Sequence, residues 1–520
     1  MERKIKYPVG IQTFSEIIEE HYLYVDKTEF VYKLANDSKY IFLSRPRRFG
    51  KSLLMSTLEE YFKGHRQLFK GLAIDSLEKD WSEYPVFRLD LSTANYTDSE
   101  RLIELIKRSL GRISRKYNLS SDADNISDIF IDLIEQSFYK YRKKVVILID
   151  EYDKPLLDCL HHPELHESVR NELRSFYSCI KACDEFIRFA MLTGVTKFGK
   201  VSIFSGLNNL LDISMLPEYN TLCGISESEF HHIFKDSIRI FADTNDISAD
   251  KAWEEFKRLY DGYHFARKGE NVYNPFSVLS ALKINDFKSF WYATGSSSYL
   301  IKLIEQNSYN LGKIDGQRRT EEQLGNITDI SHDFVPLLFQ SGYLTIKNYD
   351  PETKEYTLGF PNREVYEAFW SSLKNHFFRE SGGGSPFDVR VLTQDLDQGY
   401  PDNFMKRMKA LFADTSSEPE RNKEIHFQNM MAITAKMLGL NVRTEVHSAA
   451  GRCDMLILTH HFIYIFEFKI NATPQEALSQ IHERGYLKPF LTDNRTKFII
   501  GANFSTQERN LSGWVIESVK

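Results

Sequence analysis

The stretch from Tyr40 to Phe62, YIFLS-RPRRF-GKS-LLMSTLEEYF, constrains this chain more than any other. An apolar run of strand length leads into a short loop, the loop ends in Gly50-Lys51-Ser52, and a helical pattern follows. Strand, loop and helix in this order build the phosphate-cradling unit of α/β proteins. Backbone N–H groups at the helix N-terminus, a lysine and a hydroxyl all face one anion. The general pattern asks for glycine five positions before Gly50, where this chain has Arg45, with Pro46, Arg47 and Arg48 inside the loop. A GKS alone is weak evidence, so the reading needs a second motif.

VVILID at 145–150, followed by Glu151, supplies it. A continuous apolar run is what a central parallel strand, covered on both faces, requires. At its end Asp150 is placed to hold magnesium through water, and Glu151 to polarise an attacking water. PVFRLDL at 85–91 and FIRFAMLTG at 186–194 alternate with helix-like stretches and predict the neighbouring strands. The last of these ends at Thr193, which either senses a terminal phosphate or caps the strand end. The expected ligands are ATP and Mg²⁺, with Arg48, Gly50, Lys51, Ser52, Asp150 and Thr193 on the nucleotide side and Glu151 in the catalytic role. Asp26 and Glu29 in VDKTEFVYKL have capping-box spacing, a structural device without chemistry.

GRCDMLILTHHFIYIFEFKI, residues 451–470, reads as a hairpin turning at His460 and His461. If Thr459 faces Phe462, Asp454 lies opposite Glu467 and two carboxylates share one face. Lys469 projects on that same face, and Phe466 and Phe468 point the other way. Paired acids hold a divalent cation that activates water, and a lysine orients the nucleophile or stabilises a charged phosphorane, so Asp454, Glu467 and Lys469 fit phosphodiester cleavage with Mg²⁺ or Mn²⁺. Upstream, Glu424 opens the amphipathic EIHFQNMMAITAKMLGL and is placed for a further metal contact. Downstream, Gln480 and Tyr486 fall in a second helical stretch, ALSQIHERGYLKPF. The adjacent histidines read as exposed loop residues and not as metal ligands.

With 520 residues the chain needs more than one hydrophobic core. The pattern divides it into a P-loop sheet domain at 1–224, a helical lid at 225–304, a winged-helix-like middle region at 305–385 and a last α/β domain from 386, beyond the linker-like SGGGSP. Net charge is −6, so no global basic field draws it to nucleic acid, and any such contact comes from local patches. Its five cysteines form no CxxC pair and read as reduced thiols, consistent with the cytoplasm. No run of about eighteen apolar residues marks a membrane span.

Taken together, YPVGIQTFSEI, YVDKTEF, FLSRPRRFGKSLL, ILIDEYDKPL, LTGVTKFGKVSIFSGLNNL, YNPFSVLSALK, YATGSSSYLIKLI, LLFQSGYLTIK and the run from GRCD through EFK to QIHERGY resemble a bacterial AAA-ATPase-like family that carries a C-terminal PD-(D/E)xK nuclease domain. The resemblance spans almost the whole chain. In that family RPRRFGK is the usual P-loop, so Arg45 departs only from the general pattern. The resemblance implies a nucleotide role for Gly50, Lys51, Ser52, Asp150 and Glu151. It implies a nuclease role for Glu424, Asp454, Glu467, Lys469 and Gln480. The resulting expectation is an ATP-regulated nuclease, with DNA favoured over RNA, defence against foreign DNA as a setting, and a homo-oligomer compatible with the fold. The alternative is a nucleotide-dependent switch whose nuclease-like domain only binds.

Overall fold

A computed structural model describes the chain apart from residues 1–4, 93–95, 97, 161, 199–202, 205–206, 208, 292–302, 305–308, 310, 312–313, 326, 328–332, 378–388, 414–428, 435, 437–440, 449–450, 509 and 520. It falls into two compact units, 1–291 with 318–364, and 292–317 with 365–520.

The first unit is built on strands β1 (Tyr40–Ser44), β2 (Val86–Asp90), β3 (Val145–Asp150), β4 (Ile187–Gly194) and β5 (Leu211–Asp212), parallel throughout and ordered β2-β3-β4-β1-β5. The four long strands are the four apolar runs of the sequence. All six residues of β3 are buried, as a strand covered on both faces must be. Insertion of β4 between β1 and β3 sets the site, because Thr193 pairs with Leu43 and so lies between the loop after β1 and the acids after β3.

Four helices, Glu227–Ile233, Lys235–Thr244, Ala249–Tyr260 and Pro275–Ile284, follow the sheet and close on a core of Phe230, Phe234, Ile238, Phe241, Phe256 and Tyr260. The short ladder of β6 (Ile225–Ser226) with β7 (Val272–Tyr273) ties their ends. Ser226 and Glu229 form a reciprocal capping box, and Lys27 donates to Glu229 and to the Thr221 carbonyl, fastening the N-terminal segment to these helices. The box expected at Asp26 and Glu29 does not form. The Asp26 carboxylate instead accepts from Thr28 N and Oγ1 and from Ala73 N, a tertiary tie that competes with capping.

Strand β8 (Arg318–Thr320) comes before helix Val335–Ser341, and β9 (Thr345–Asp350) and β10 (Glu355–Gly359) follow it; the strands are ordered β8-β10-β9, a helix plus hairpin with one added strand. Gly342 ends that helix at φ 90°, and a Cβ there would lie 2.7 Å from Cβ of Pro46 in the phosphate loop.

At the end of helix Ala249–Tyr260, Asp261 is buried and its Oδ1 has no hydrogen-bond partner. Burial lifts its carboxyl to about 6. A raised carboxylate pKa means that the folded state holds the proton more tightly than the unfolded chain. Ionisation therefore erodes stability from about pH 4 up to about pH 6, beyond which the loss is constant. Asp261→Asn is expected to stabilise the protein at pH 7.5 by at most about 3 kcal/mol, two pKa units at 1.4 kcal/mol each, and to change little at pH 4. Melting temperatures at both values decide it, and equal shifts at both would refute the assignment.

The second unit carries β11 (Asn441–Ser448), β12 (Gly451–Leu458), β13 (Phe462–Ile470), β14 (Thr496–Ser505) and β15 (Asn510–Val519) in that spatial order, with only β13 and β14 parallel. A parallel pair needs a crossover, and helix Pro474–Glu483 provides it. The observed register of β12 on β13, Leu458↔Ile463 through Met455↔Phe466, is the one that counting from the turn predicts. His460 and His461 are exposed at that turn.

Candidate active sites

In the loop after β1, Gly50 takes φ 94° with nothing within 4 Å of a would-be Cβ, and helix Lys51–Phe62 starts beside it. The Lys51 ammonium is buried and donates to the carbonyls of Arg45 (3.0 Å) and Pro46 (3.2 Å), with Glu151 at 3.8 Å. A cation held mainly by backbone carbonyls at a helix N-terminus is what an incoming phosphate could engage. Ser52 follows in the first turn, partly exposed. Arg45 turns its guanidinium away from this concavity. It is buried, donates to the Ser214 and Tyr219 carbonyls and lies over the Phe265 ring, which makes it a structural replacement for the glycine of the general pattern. Of the other loop arginines, Arg48 lies over the Phe276 ring, and the charge of Arg47 acts on Glu151.

Across the sheet end, Thr193 Oγ1 donates to Asp150 Oδ1 at 2.6 Å, both groups being buried. Glu151 adopts φ 54° in the turn that follows, a left-handed conformation costing about 1–2 kcal/mol for a non-glycine residue. Its N–H donates to Asp150 and Tyr152 N–H to the Thr193 carbonyl, so the turn is held from both sides. Burial pushes the Glu151 carboxyl above its usual range against the opposing pull of Lys51. A carboxylate so tuned, beside a lysine and a second acid, is a stronger base than an exposed one.

In the second unit Glu467 is buried. Its Oε1 accepts from Gln480 Nε2, and Lys469 donates to the Gln480 oxygen while standing 3.9 Å from Glu467. Gln480 also reaches the Tyr486 hydroxyl at 3.4 Å. Asp454 Oδ2 accepts from Phe468 N at 2.8 Å, one residue beyond Glu467 on the strand. Burial, then the charge of Asp454, raises the Glu467 carboxyl to about 8, and its Oε2 has no partner. A buried carboxylate oxygen without a donor, next to a second acid, fits a hard divalent cation, for which both acids supply oxygen ligands. Glu424 lies outside the described residues, and among those described no group of three potential ligands converges. Tyr486 is not helical as the sequence pattern has it, because the helix stops at Glu483 and Gly485 at φ 61° redirects the chain.

Residues 8–204 match a family model described as Predicted AAA-ATPase, and residues 422–514 match the PD-(D/E)XK nuclease superfamily. An uncharacterized protein in the vnfD 5' region of Azotobacter chroococcum mcd 1 is 35% identical over 532 residues, covering 100% of each chain. The chain belongs to this AAA-ATPase-like family with a C-terminal PD-(D/E)XK nuclease domain. The ORC2 protein of Aeropyrum pernix, solved as ADPNP-ADP complexes, is 11% identical with a TM-score of 0.26, covering 69% of this chain and 98% of that one, too distant to carry an argument.

The AAA-ATPase-like half also holds groups that its motifs did not single out. Asp153, fully buried, accepts from Val195 N, Thr196 N and Thr196 Oγ1, and so locks the loop after β4 to the turn after β3. A Cβ on Gly194 would fall 2.4 Å from an Asp153 oxygen, so only glycine allows that approach. The signal was present in the sequence as a third acid two residues beyond Glu151. Beside Gly50 an apolar cavity is lined by Pro8, Tyr24, Val25, Gly224, Ile225 and Pro275, drawn from segments far apart in the chain.

In the nuclease half, Gly501 pairs with Glu467 across β13 and β14, and a Cβ there would meet the Pro474 carbonyl at 2.3 Å and Leu478 N at 2.6 Å. The missing side chain lets helix Pro474–Glu483 lie close enough for Gln480 to reach Glu467. Gly501→Ala should push that helix away, costing about 1–3 kcal/mol of stability by overpacking and any cleavage at this site by about 10- to 100-fold, the usual effect of losing an outer partner of a metal ligand. Thermal denaturation and rate assays check both, and an unchanged rate would separate Gln480 from function.

Proposed function

We propose that this protein is an ATP-regulated, divalent-metal-dependent nuclease acting on phosphodiesters of nucleic acid, with DNA preferred over RNA. The observation that carries this is Glu467, a buried carboxylate with a partnerless oxygen beside Asp454, Lys469 and Gln480. Asp454 and Glu467 would hold Mg²⁺ or Mn²⁺, which supplies Lewis acidity and an activated water. Lys469, kept in place by Gln480, would orient the nucleophile or stabilise the charge that develops on phosphorus.

In the AAA-ATPase-like half, Gly50, Lys51 and Ser52 would receive the phosphates, Asp150 and Thr193 the metal and the terminal phosphate, and Glu151 the proton of an attacking water. The apolar cavity beside Gly50 would take the adenine ring. Purified protein incubated with labelled single- and double-stranded DNA and RNA, with Mg²⁺ or Mn²⁺ and with or without ATP, tests the reading. Metal-dependent cutting that changes with ATP is the expected result, and absence of cutting on every substrate would reject it.

A second reading, a nucleotide-dependent switch whose nuclease-like domain only binds nucleic acid or a partner, draws support from the net charge of −6, which gives no global pull toward a polyanionic substrate. It requires retained nucleic-acid binding without metal-dependent cleavage.

A further inference from the structure

Trp291 is the last residue of the first unit before the chain passes to the second, and two routes from the nucleotide side converge on it. The first runs through helix Pro275–Ile284. Pro275 and Leu279 line the cavity beside Gly50, and Phe276 lies under the Arg48 guanidinium at 4.6 Å. In the same first turn Ser277, fully buried, donates Oγ to Glu364 Oε2 at 2.8 Å. The other oxygen of Glu364 accepts from Phe290 N at 2.6 Å and Trp291 N at 2.9 Å. Glu364 is itself the last residue before the chain leaves the first unit a second time. The second route starts at Pro46 of the phosphate loop, against which Gly342 packs too closely to admit a Cβ. The next residue, Tyr343, meets the Trp291 ring edge-on at 4.7 Å.

Glu364 is 2% exposed, and its partners are neutral donors. A buried carboxyl group held this way is left with an unsatisfied oxygen whenever one donor moves off. The cluster therefore favours discrete arrangements over gradual deformation, which is what a coupling element needs.

We propose that Ser277, Glu364 and Trp291 are positioning residues that couple the two sites. Nucleotide in the cavity sets the pitch of helix Pro275–Ile284, and Glu364 passes that change to residues 291 and 364, two of the points at which the chain crosses to the nuclease-bearing unit. This deepens the ATP-regulated reading and rests on it.

The test uses the full chain as wild type, Ser277→Ala, Ser277→Thr and Trp291→Ala, the last a partly exposed position that probes the joint from its other end. ATP affinity, cleavage with and without ATP, and hydrogen exchange at the Phe290 and Trp291 amides are measured on each. In Ser277→Ala, ATP affinity and cleavage without ATP should stay at the wild-type values. The ratio of rates with and without ATP, about 5- to 150-fold for coupling of this kind, should fall to within about twofold of one. ATP should cease to alter exchange at Phe290 and Trp291 in that variant, Ser277→Thr should restore both responses, and Trp291→Ala should lose the rate response. The proposal is overturned if Ser277→Ala, or Trp291→Ala should the first fail to fold, keeps the wild-type ratio. It also falls alone if wild-type cleavage depends on ATP while the two amides ignore it. Wild-type cleavage that is indifferent to ATP removes the regulated reading and this inference together.

Discussion

Glu467→Ala is expected to lower cleavage of every substrate the wild-type protein cuts by about 10³-fold or more, because one of two carboxylate ligands to a divalent cation supplies several kcal/mol of transition-state charge stabilisation. The isosteric Glu467→Gln should be nearly as inactive, since its neutral amide cannot balance a dication. Thermal stability gives an independent reading. The wild type buries an oxygen without a donor beside Asp454, so added Mn²⁺ should raise its melting temperature. In Glu467→Gln the metal response should vanish, and the metal-free protein should be at least as stable as wild type, because the unfavourable buried carboxylate is gone. Cleavage by either variant at the wild-type rate would transfer any nuclease activity to a different site.

The second large effect is expected from Lys51→Ala, which should weaken ATP binding by about 30- to 150-fold, the equivalent of about 2–3 kcal/mol in charged hydrogen bonds. Lys51 is buried against the loop carbonyls and 3.8 Å from Glu151, so little reorganisation is needed before it meets a phosphate. Its loss also removes the chief charge that opposes the burial-driven rise of the Glu151 carboxyl. Any residual ATP hydrolysis should then need a higher pH, because Glu151 must ionise to accept a proton. Calorimetric titration and phosphate release across pH decide this. ATP affinity equal to wild type would remove the loop from nucleotide recognition.

The sheet of the first unit was legible because parallel strands buried on both faces leave continuous apolar runs, as at Val145–Asp150 and Ile187–Gly194. The hairpin of β12 and β13 was legible for a different reason. A two-residue turn fixes the register, and the register puts Asp454 near Glu467. Contacts that depend on distant segments were not legible. Neither Asp261 nor Glu364 announces its burial, and β5 has only two residues. The reach of Gln480 depends on Gly501, which reads as an ordinary strand residue until the crossover helix is seen to lie on it. Asp26 shows the converse failure. The local capping pattern was real, but an amide from Ala73 outcompeted it.

Residues 292–317 leave the first unit for the second and return before the chain finally crosses again after residue 364. Within the second unit Asn429 accepts from Leu311 N and donates to the Tyr309 carbonyl, and Tyr366 donates to the Lys436 carbonyl. The described residues on both sides of the glycine-rich stretch at 381–384 therefore belong to one folded unit. A chain severed there would remain a single particle, with its first fragment still contributing part of the nuclease-bearing core. A gene fragment beginning after that point would encode an incomplete domain. Because the chain passes between the two units at 291/292, 317/318 and 364/365, neither can be exchanged by a simple fusion at one joint, so a lineage that keeps one has reason to keep both.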